Sequence, residues 1–512
     1  MQLIKLQGTK LTLFNLLTGF VSVAVSFAVG FFLSPFIVSK LGAEANGFTQ
    51  LANNFVMYAT LITTAFNSMA GRFVSVAYHA GEMEKAKCYY SSVFIVNIVL
   101  ILLLLPIAAF IVWNLQEAVV IERADAEDVK ILFAGVFLNF FLGLVSSLFC
   151  MSFYVRNAIF YANLFGVLRT ISNATLLFAL FSLLPIRLFY TSLTGVFLSI
   201  VFLPIYIHLQ RRLLPEFRLD MRRFSGQAVW ELLCSGIWNT VNQCGHLLMT
   251  GMDLLLANWF ISPAMMGVIA ISKTIPSAVM QLGITVNNNF SPSVTMQFAK
   301  HDVHALMRDL RLGMKISTMA IGIPLVTFCA LSVPFYQLWM PTEDAFGLST
   351  LSILGCFQFI IFAGTQNLYN LFTAANKLKI NSLSFFVTGA LNVLIVYCLL
   401  KQGISNGAYI LVGFSTLLSV LRIMAVVLPY QACLLHLPWY TFYKDVLMAV
   451  LCALVNYLLA FCILRFVSVT GWFMLVLSAV LTLSLSVVAD GLLLLDSDER
   501  KKVMSLITYK KK

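Results

Sequence analysis

Charge is the scarcest commodity in this chain. Asp, Glu, Lys and Arg together make up 11% of 512 residues, while 60% are apolar and the mean hydropathy is +0.92. A soluble protein of this length needs a far more polar surface, so the composition excludes the soluble globular class and points to a polytopic α-helical membrane protein. Paired cysteines are also missing. The ten cysteines stand singly, none forms a CxxC, and most fall within apolar blocks, where they read as small buried hydrophobes rather than metal ligands or disulfides. The six histidines show no HExxH spacing, and no metal site is expected. No GxxxxGK[ST] phosphate loop occurs, so the chain itself is not expected to use ATP. No basic soluble domain is present, which leaves the net charge of +12 a weak signal for nucleic acid; no nucleic-acid partner is expected.

What is present are apolar blocks of about 20 residues, each enough to cross a hydrocarbon core of ~30 Å. They lack the ten-residue alternation of a transmembrane barrel. The first ten residues, MQLIKLQGTK, are polar, and the block Leu11–Ser39 that follows is too long for a signal-peptide core, so it reads as a retained helix. Fourteen spans are predicted at roughly 11–39, 47–71, 88–113, 130–154, 161–184, 189–209, 228–259, 266–290, 312–334, 349–373, 380–400, 407–429, 445–465 and 472–494.

The first twelve spans form two sixes related at an offset of 220 residues. A turn at Gly47 answers one at Gly267, Asn67 answers Asn287, Val74 answers Val294 and Tyr78 answers Phe298. The acid Glu82 in a polar break answers Asp302, and the hairpin Arg156–Phe160 answers Asn376–Ile380. Such a repeat is the usual plan of an alternating-access transporter, with a site between its halves. The predicted organisation is an N-lobe over 1–209, a basic connector over 210–227, a C-lobe over 228–440, and a last pair of spans with a basic tail over 441–512.

Lysine and arginine predict the orientation. With the N-terminus inside, six of the 33 basic residues fall outside (Lys40, Arg123, Lys130, Arg187, Lys401 and Arg465) and Arg169, Lys273 and Arg422 fall within spans. The other 24 face the cytoplasm or its membrane edge, so both termini are expected there. The longest outside loop, 114–130, is acidic. The connector carries Arg211, Arg212, Arg218, Arg222 and Arg223. These read either as an anchor on anionic headgroups or as a collector for anionic lipid-linked substrate.

Three spans carry polar stripes at helical spacing. Span seven has Asn239, Asn242, Gln243, His246, Thr250 and Asp253; span eight has Lys273, Ser277, Gln281, Thr285 and Asn288; span two has Asn53, Thr60, Thr64, Asn67 and Ser68, with Arg72 at its cytoplasmic end. Polar groups facing lipid have no partners, so stripes of this length predict a wet cavity; interhelical hydrogen bonding is the alternative. For span ten, with Gln358, Gln366 and Asn370, hydrogen bonding is the preferred reading. Asp253 and Lys273 lie at similar predicted depth and read either as a structural ion pair or as an ion-coupling carboxylate and an anion-binding cation. His246 reads as a hydrogen-bonded polar residue or a proton switch. Arg72, Arg169 and Arg422 suit headgroup contact or phosphate recognition.

Fourteen spans, a six-plus-six repeat and two extra helices resemble the polysaccharide-transport branch of the multidrug/oligosaccharidyl-lipid/polysaccharide (MOP) exporter superfamily, and within it the Wzx-type O-antigen and lipid-linked oligosaccharide flippases. The resemblance covers nearly the whole chain. It is carried by LGAEANGFTQLANNF, AGRFVSVAYHAGEMEKAKCYYSSVF, DLLLANWFISPAMMGVIAISKTIPS, NNNFSPSV, TAANKLKIN and KQGISNGAYI, and departs from the family at Ile269, where an aromatic residue is frequent.

The resemblance implies a MATE/MOP-like V-shaped arrangement of two lobes around a cationic cavity walled by spans one, two, seven and eight. Arg72 and Lys273 would be cavity cations, with Arg169 and Arg422 as further candidates, and the last two spans would help form a groove for a lipid tail. The implied activity is translocation of an undecaprenyl-diphosphate-linked oligosaccharide from the cytoplasmic to the outer leaflet of the bacterial inner membrane, for surface polysaccharide and lipopolysaccharide synthesis. A transporter rather than an enzyme is expected, with no cofactor beyond coupling to H+ or Na+. The expected partners are the lipid-linked substrate, membrane lipids and, as a candidate, a polysaccharide polymerase, the protein itself being a monomer. The rival readings are a peptidoglycan-precursor flippase, a small-molecule antiporter of the same superfamily, and a membrane polymerase or ligase. Antiporters usually have twelve spans and a carboxylate in the first, whereas 11–39 holds no Asp or Glu. Polymerases need a larger outside loop than 114–130.

Overall fold

The computed structural model describes residues 9–500 except 218, 289, 301, 405, 497 and 498. The polar start 1–8, Arg218 of the connector and the basic tail 501–512 lie outside the described residues. Those described form helices and connections with no strand. Helix is the outcome apolar blocks must adopt in a bilayer, because it satisfies every backbone N–H and C=O within the segment.

The chain divides into two compact units, one ending at Ala270 and the other beginning at Ile271. The first contains α1 (Thr9–His79), α2 (Met83–Trp113), the short α3 (Leu115–Ala118), α4 (Ala126–Val155), α5 (Ile159–Leu183) and α6 (Tyr190–Leu213). It continues with α7 (Gly226–His246), a π turn (Leu247–Gly251), α8 (Met252–Phe260) and most of α9 (Pro263–Ser272). The second contains α10 (Thr274–Asn287), α11 (Ser291–Ala299), α12 (Val303–Ser317), a π turn (Thr318–Gly322), α13 (Ile323–Trp339) and α14 (Ala345–Thr365). It is completed by α15 (Tyr369–Ala374), α16 (Leu378–Lys401), α17 (Gly407–Arg422), a third π turn (Ile423–Val427), α18 (Leu428–Leu434), α19 (Tyr443–Phe466) and α20 (Trp472–Leu494). Read as membrane crossings these make fourteen. α1 holds the first two, broken at Gly42, and span seven is interrupted by the π turn after α7. The contact boundary at 270 differs from the repeat boundary near 220 because span seven packs along α1.

The repeat is visible in the geometry of the breaks. Val155 ends α4 with Asn157 at φ 52°, and Ala374 ends α15 with Asn376 at φ 52°. Around the first, Arg156 N–H donates to Ser152 O, Asn157 to Tyr154 O and Ala158 to Phe153 O. Around the second, Ala375 donates to Leu371 O, Asn376 to Thr373 O and Lys377 to Phe372 O. Asparagine serves because its short amide tolerates the left-handed conformation that closes a helix. Glu82 and Asp302 likewise stand at the N-caps of α2 and α12; Asp302 accepts the Ala305 N–H at 2.9 Å, whereas Glu82 makes no such cap.

One sequence expectation is overturned. Gly47 and Gly267 are not turns: both are helical, within α1 and α9. They answer each other by contact instead. A Cβ on Gly47 would lie 2.9 Å from the Gly267 Cα, and one on Gly267 would strike the Ala43 carbonyl. The break between spans one and two is at Gly42, whose φ of 84° is a left-handed conformation glycine reaches without a Cβ clash.

The ten cysteines are free thiols: Cys329, Cys356 and Cys452 are buried, but Cys234, Cys398, Cys433 and Cys462 are exposed. Long apolar side chains are exposed along many of the helices, among them Leu102, Phe110, Phe197, Leu454, Phe461 and Val487. An apolar surface of that extent is what a hydrocarbon solvent requires.

Candidate functional site

The loop between α2 and α4 of the first unit is held in place rather than loose. Glu44, 4% exposed, accepts backbone N–H groups of Glu122 at 3.0 Å, Arg123 at 3.1 Å and Ala124 at 3.3 Å. Asn258 clamps Val120 from both sides, accepting its N–H and donating to its carbonyl at 2.9 Å each. Arg187 pairs with Asp125 at 2.9 Å and Asp128 at 3.2 Å, and the Asp128 charge foremost holds its guanidinium more firmly protonated than usual.

Beyond this loop the first unit carries the polar stripes of spans two and seven. The second half of α1 and α7 approach closely, since Gly236 lies directly against the Ala65 carbonyl. Beside this contact Asn239 donates to the Ser68 hydroxyl at 3.3 Å. Asn67 exchanges two hydrogen bonds with Asn97 of α2, at 3.0 and 3.1 Å. The rest of the row is open: Asn53, Ser68, Arg72 and His246 are exposed, and Asn239, Asn242 and Gln243 are half-buried. Asn53 donates to its own helix, to Thr49 O at 2.9 Å, and Thr60 and Thr64 bond back to carbonyls one turn earlier. Thr250 donates to His246 O at 2.9 Å.

The π turn Leu247–Gly251 falls in the middle of span seven. Its last carbonyl, Gly251 O, accepts from Asn54 Nδ2 at 3.0 Å and Tyr58 Oη at 3.1 Å. A widened turn frees a carbonyl that α-helix would have used, and such turns recur at functional sites. Asp253 lies two residues beyond, 2% exposed, within electrostatic reach of Tyr58. Asp253 in the first unit and Lys273 in the second each have interaction partners.

In the second unit the stripe of span eight is also open. Ser277, Gln281 and Asn288 are exposed, and Lys273 and Thr285 half-buried. The span-ten residues follow the other pattern. Gln366, Asn367 and Asn370 are buried; Asn370 donates to Asn367 at 2.9 Å, and Asn367 Nδ2 donates to Leu310 O at 3.0 Å, bonding α12.

The three arginines divide the same way. Arg72 is exposed and makes no ion pair among the described residues. Arg169 donates to Asn139 of α4 at 2.9 Å and Ser199 of α6 at 2.6 Å, so it ties the last three helices of the first sixfold set together. Arg422, 7% exposed, donates to Asn381 and Tyr369 at 3.2 Å each and stacks 4.3 Å over the Phe385 ring. It ties the last three spans of the second set.

Sequence reasoning passed over a second polar row. Ser478, Thr482, Ser486 and Asp490 follow at steps of four on α20, and all are at most 1% exposed. Asp490 accepts two bonds from Asn456 Nδ2 of α19, at 3.2 and 3.1 Å. The i+4 spacing was the available signal. In the connector, Arg223 pairs with Asp220 at 3.2 Å and with Glu84, and Arg211, Arg212 and Arg222 are exposed. The Arg222 N–H, then the Arg223 guanidinium, hold the Asp220 carboxyl below the usual aspartate range.

No protein-family model matches the chain. The uncharacterized membrane protein EpsK of Bacillus subtilis (strain 168) is 28% identical over 377 residues, covering 72% of each chain. Among solved structures, the lipid II flippase MurJ in its inward closed conformation aligns with a TM-score of 0.66 at 12% identity, over 92% of this chain and 98% of that one. An inward-facing multidrug resistance MATE family transporter of the MOP superfamily aligns with a TM-score of 0.61 at 13% identity, over 80% of this chain and 94% of that one. A multi-pass membrane protein, the chain has the all-helical fold shared by the MATE transporters and MurJ.

Proposed function

We propose that this protein is a flippase that carries an undecaprenyl-diphosphate-linked oligosaccharide from the cytoplasmic to the outer leaflet of a bacterial inner membrane by alternating access, for surface polysaccharide synthesis. The observation that carries the reading is the open polar row ending at Arg72, on a fold shared with transporters. An exposed polar row at membrane depth is stable only beside water, since hydrocarbon offers its amides no partners. The transported head is charged and sugar-bearing, and moving an unpartnered ion into hydrocarbon costs many kcal/mol. Water and a cation lower that barrier while the polyprenyl tail stays in lipid. Outward movement of negative charge is also favoured by an inside-negative potential, by about 2.3 kcal/mol per charge per 100 mV.

A lipid-tailed cargo over a small solute is supported by length. The MATE match leaves about a fifth of this chain uncovered, whereas the lipid II flippase match covers 92% of it. In this reading Arg72 and Lys273 meet the diphosphate, Asn239, Asn242, Gln243, His246, Gln281 and Asn288 meet the sugar and its water, and Asp253 is the carboxylate for H+ or Na+ coupling. Arg169 and Arg422 hold their helices. The match to the lipid II flippase supports a second reading, with a peptidoglycan precursor as cargo.

The test is removal of the gene from a cell that needs it for surface glycan, followed by complementation with wild type, R72A or K273A. Loss of surface polymer with lipid-linked repeat units accumulating inside is the expected outcome of the deletion. Neither variant should restore export. Unchanged surface glycan with both variants overturns the cationic assignment. Normal translocation with unpolymerised units outside supports an enzyme of polymerisation instead, and rescue of a strain lacking its lipid II flippase supports the second reading.

A further inference from the structure

A cavity of about 580 Å³ opens in the second unit where α12 begins, α19 begins and α20 ends. One side of α12 supplies His304, Arg308, Arg311 and Lys315, spaced four, three and four residues apart, so all four lie along one helical face. Lys444 adds a fifth basic group from α19. The inner wall is apolar, with Met314, Met448 and Leu493. None of these residues belongs to the cargo site of the export reading.

The charges here are unevenly matched. Lys315 meets Glu499 at 2.7 Å and Asp496 at 3.6 Å, so one ammonium is shared by two carboxylates of the segment that follows α20. Arg311 reaches Asp445 only at 3.8 Å. Arg308 stands 3.9 Å from Asp309, whose carboxylate instead accepts the Ser293 hydroxyl at 2.6 Å. Lys444 has no carboxylate within ion-pair distance among the described residues. Glu499 and Arg500 are themselves held: Glu499 accepts the Asp496 N–H at 2.9 Å, and Arg500 donates to Leu495 O at 2.8 Å.

The depth of the cavity in the bilayer follows from its surroundings. Trp439 and Tyr440, just before α19, are 63% and 60% exposed, as aromatic residues at a membrane interface are. α12 is amphipathic and leads through a π turn into the apolar α13. A basic rim over an apolar wall at that depth matches a phosphate on a short glycerol or isoprenoid stem.

We propose that this cavity binds the phosphate of an anionic membrane lipid, held by Arg308, Arg311, Lys315 and Lys444 with its first methylenes against Met448 and Leu493, and that Glu499 and Asp496 compete with the phosphate for Lys315. The carboxylates make the site weaker than its cations alone would, so removing a cation and removing an acid act in opposite directions. The proposal stands whether or not the protein is a flippase, since its readout is lipid retention and not transport.

The experiment is native mass spectrometry of the full-length, delipidated protein titrated with phosphatidylglycerol, undecaprenyl phosphate, phosphatidylcholine or inorganic phosphate. One tightly retained phosphatidylglycerol or undecaprenyl phosphate is expected, and the tighter of the two identifies the source. The double variant R308Q/K444Q should weaken that binding about tenfold, as loss of charge-assisted contacts does. E499Q should tighten it severalfold. Both substitutions replace side chains at the rim, and E499Q carries the opposite expected sign, so a general loss of structure cannot mimic the pair of results. Equal retention of phosphatidylcholine, displacement by equimolar inorganic phosphate, or unchanged affinity in R308Q/K444Q overturns the proposal and leaves an ion-pair network only.

Discussion

Polar rows of two kinds cross this protein, and they differ in what surrounds them. On α7 and the second half of α1 the row of amides, hydroxyls and Arg72 is exposed or half-buried. On α20 the row Ser478, Thr482, Ser486 and Asp490 is sealed against its neighbours. Both have the same helical spacing and both lie in apolar spans. The difference teaches that polarity within a span has two physical uses, a wetted surface and a glued interface, and that partners and exposure separate them where spacing does not. The arginines repeat the lesson: Arg72 is open, while Arg169 and Arg422 each join three spans.

The comparison breaks most sharply at Arg72. R72A is expected to reduce export at least tenfold, read as surface glycan at matched expression, with thermal stability within about 1 °C of wild type because an exposed, unpaired side chain stabilises little. R169A should do the reverse, lowering stability by about 1–3 kcal/mol through lost charged hydrogen bonds, read as a fall in the thermal unfolding midpoint in detergent. If R169A unfolds normally and R72A does not, the division is wrong.

A second cut lies between the glued row and its partner. N456L should cost about 1–3 kcal/mol, because the Asp490 carboxyl is left buried without its amide donor. D490N, which preserves shape and hydrogen-bonding capacity, should cost less than half as much in the same unfolding assay. G267A tests the glycine contact: a Cβ against the Ala43 carbonyl forces the backbones apart, with an expected loss of about 1–3 kcal/mol.

The smallest effect belongs to the connector. Asp220 has a folded pKa below its unfolded one, so its stabilisation is present above the ordinary aspartate value and is lost as pH falls through the lower folded value. The midpoint difference between wild type and D220N should therefore be small at neutral pH and shrink as pH falls below about 4.

Much of the fold was legible in the chain. Apolar blocks of bilayer length set the spans, and the repeat matched the hairpins Arg156–Phe160 and Asn376–Ile380; that each turns on an asparagine, 157 and 376, emerged only from the backbone. Gly47 misled, since glycine permits both a turn and a close helix contact, and only the neighbour at Gly267 decides between them. The open rows of spans two, seven and eight were visible as stripes. Glu44 was not, because a carboxylate that collects N–H groups from a loop 78 residues away leaves no local pattern. The same holds for Asn456 with Asp490, and for the cavity at the base of α12, whose basic groups come from segments well over 100 residues apart.

The central claim is that the rows on α7 and α10 face water at membrane depth while the row on α20 does not. The direct measurement is labelling of single cysteines, in a cysteine-free background, by a membrane-impermeant thiol reagent in intact vesicles. N242C, H246C and Q281C should be modified, with substrate slowing the reaction, while S478C and S486C should stay unmodified. Unreactive thiols at 242, 246 and 281, or equal labelling of both rows, would contradict the account.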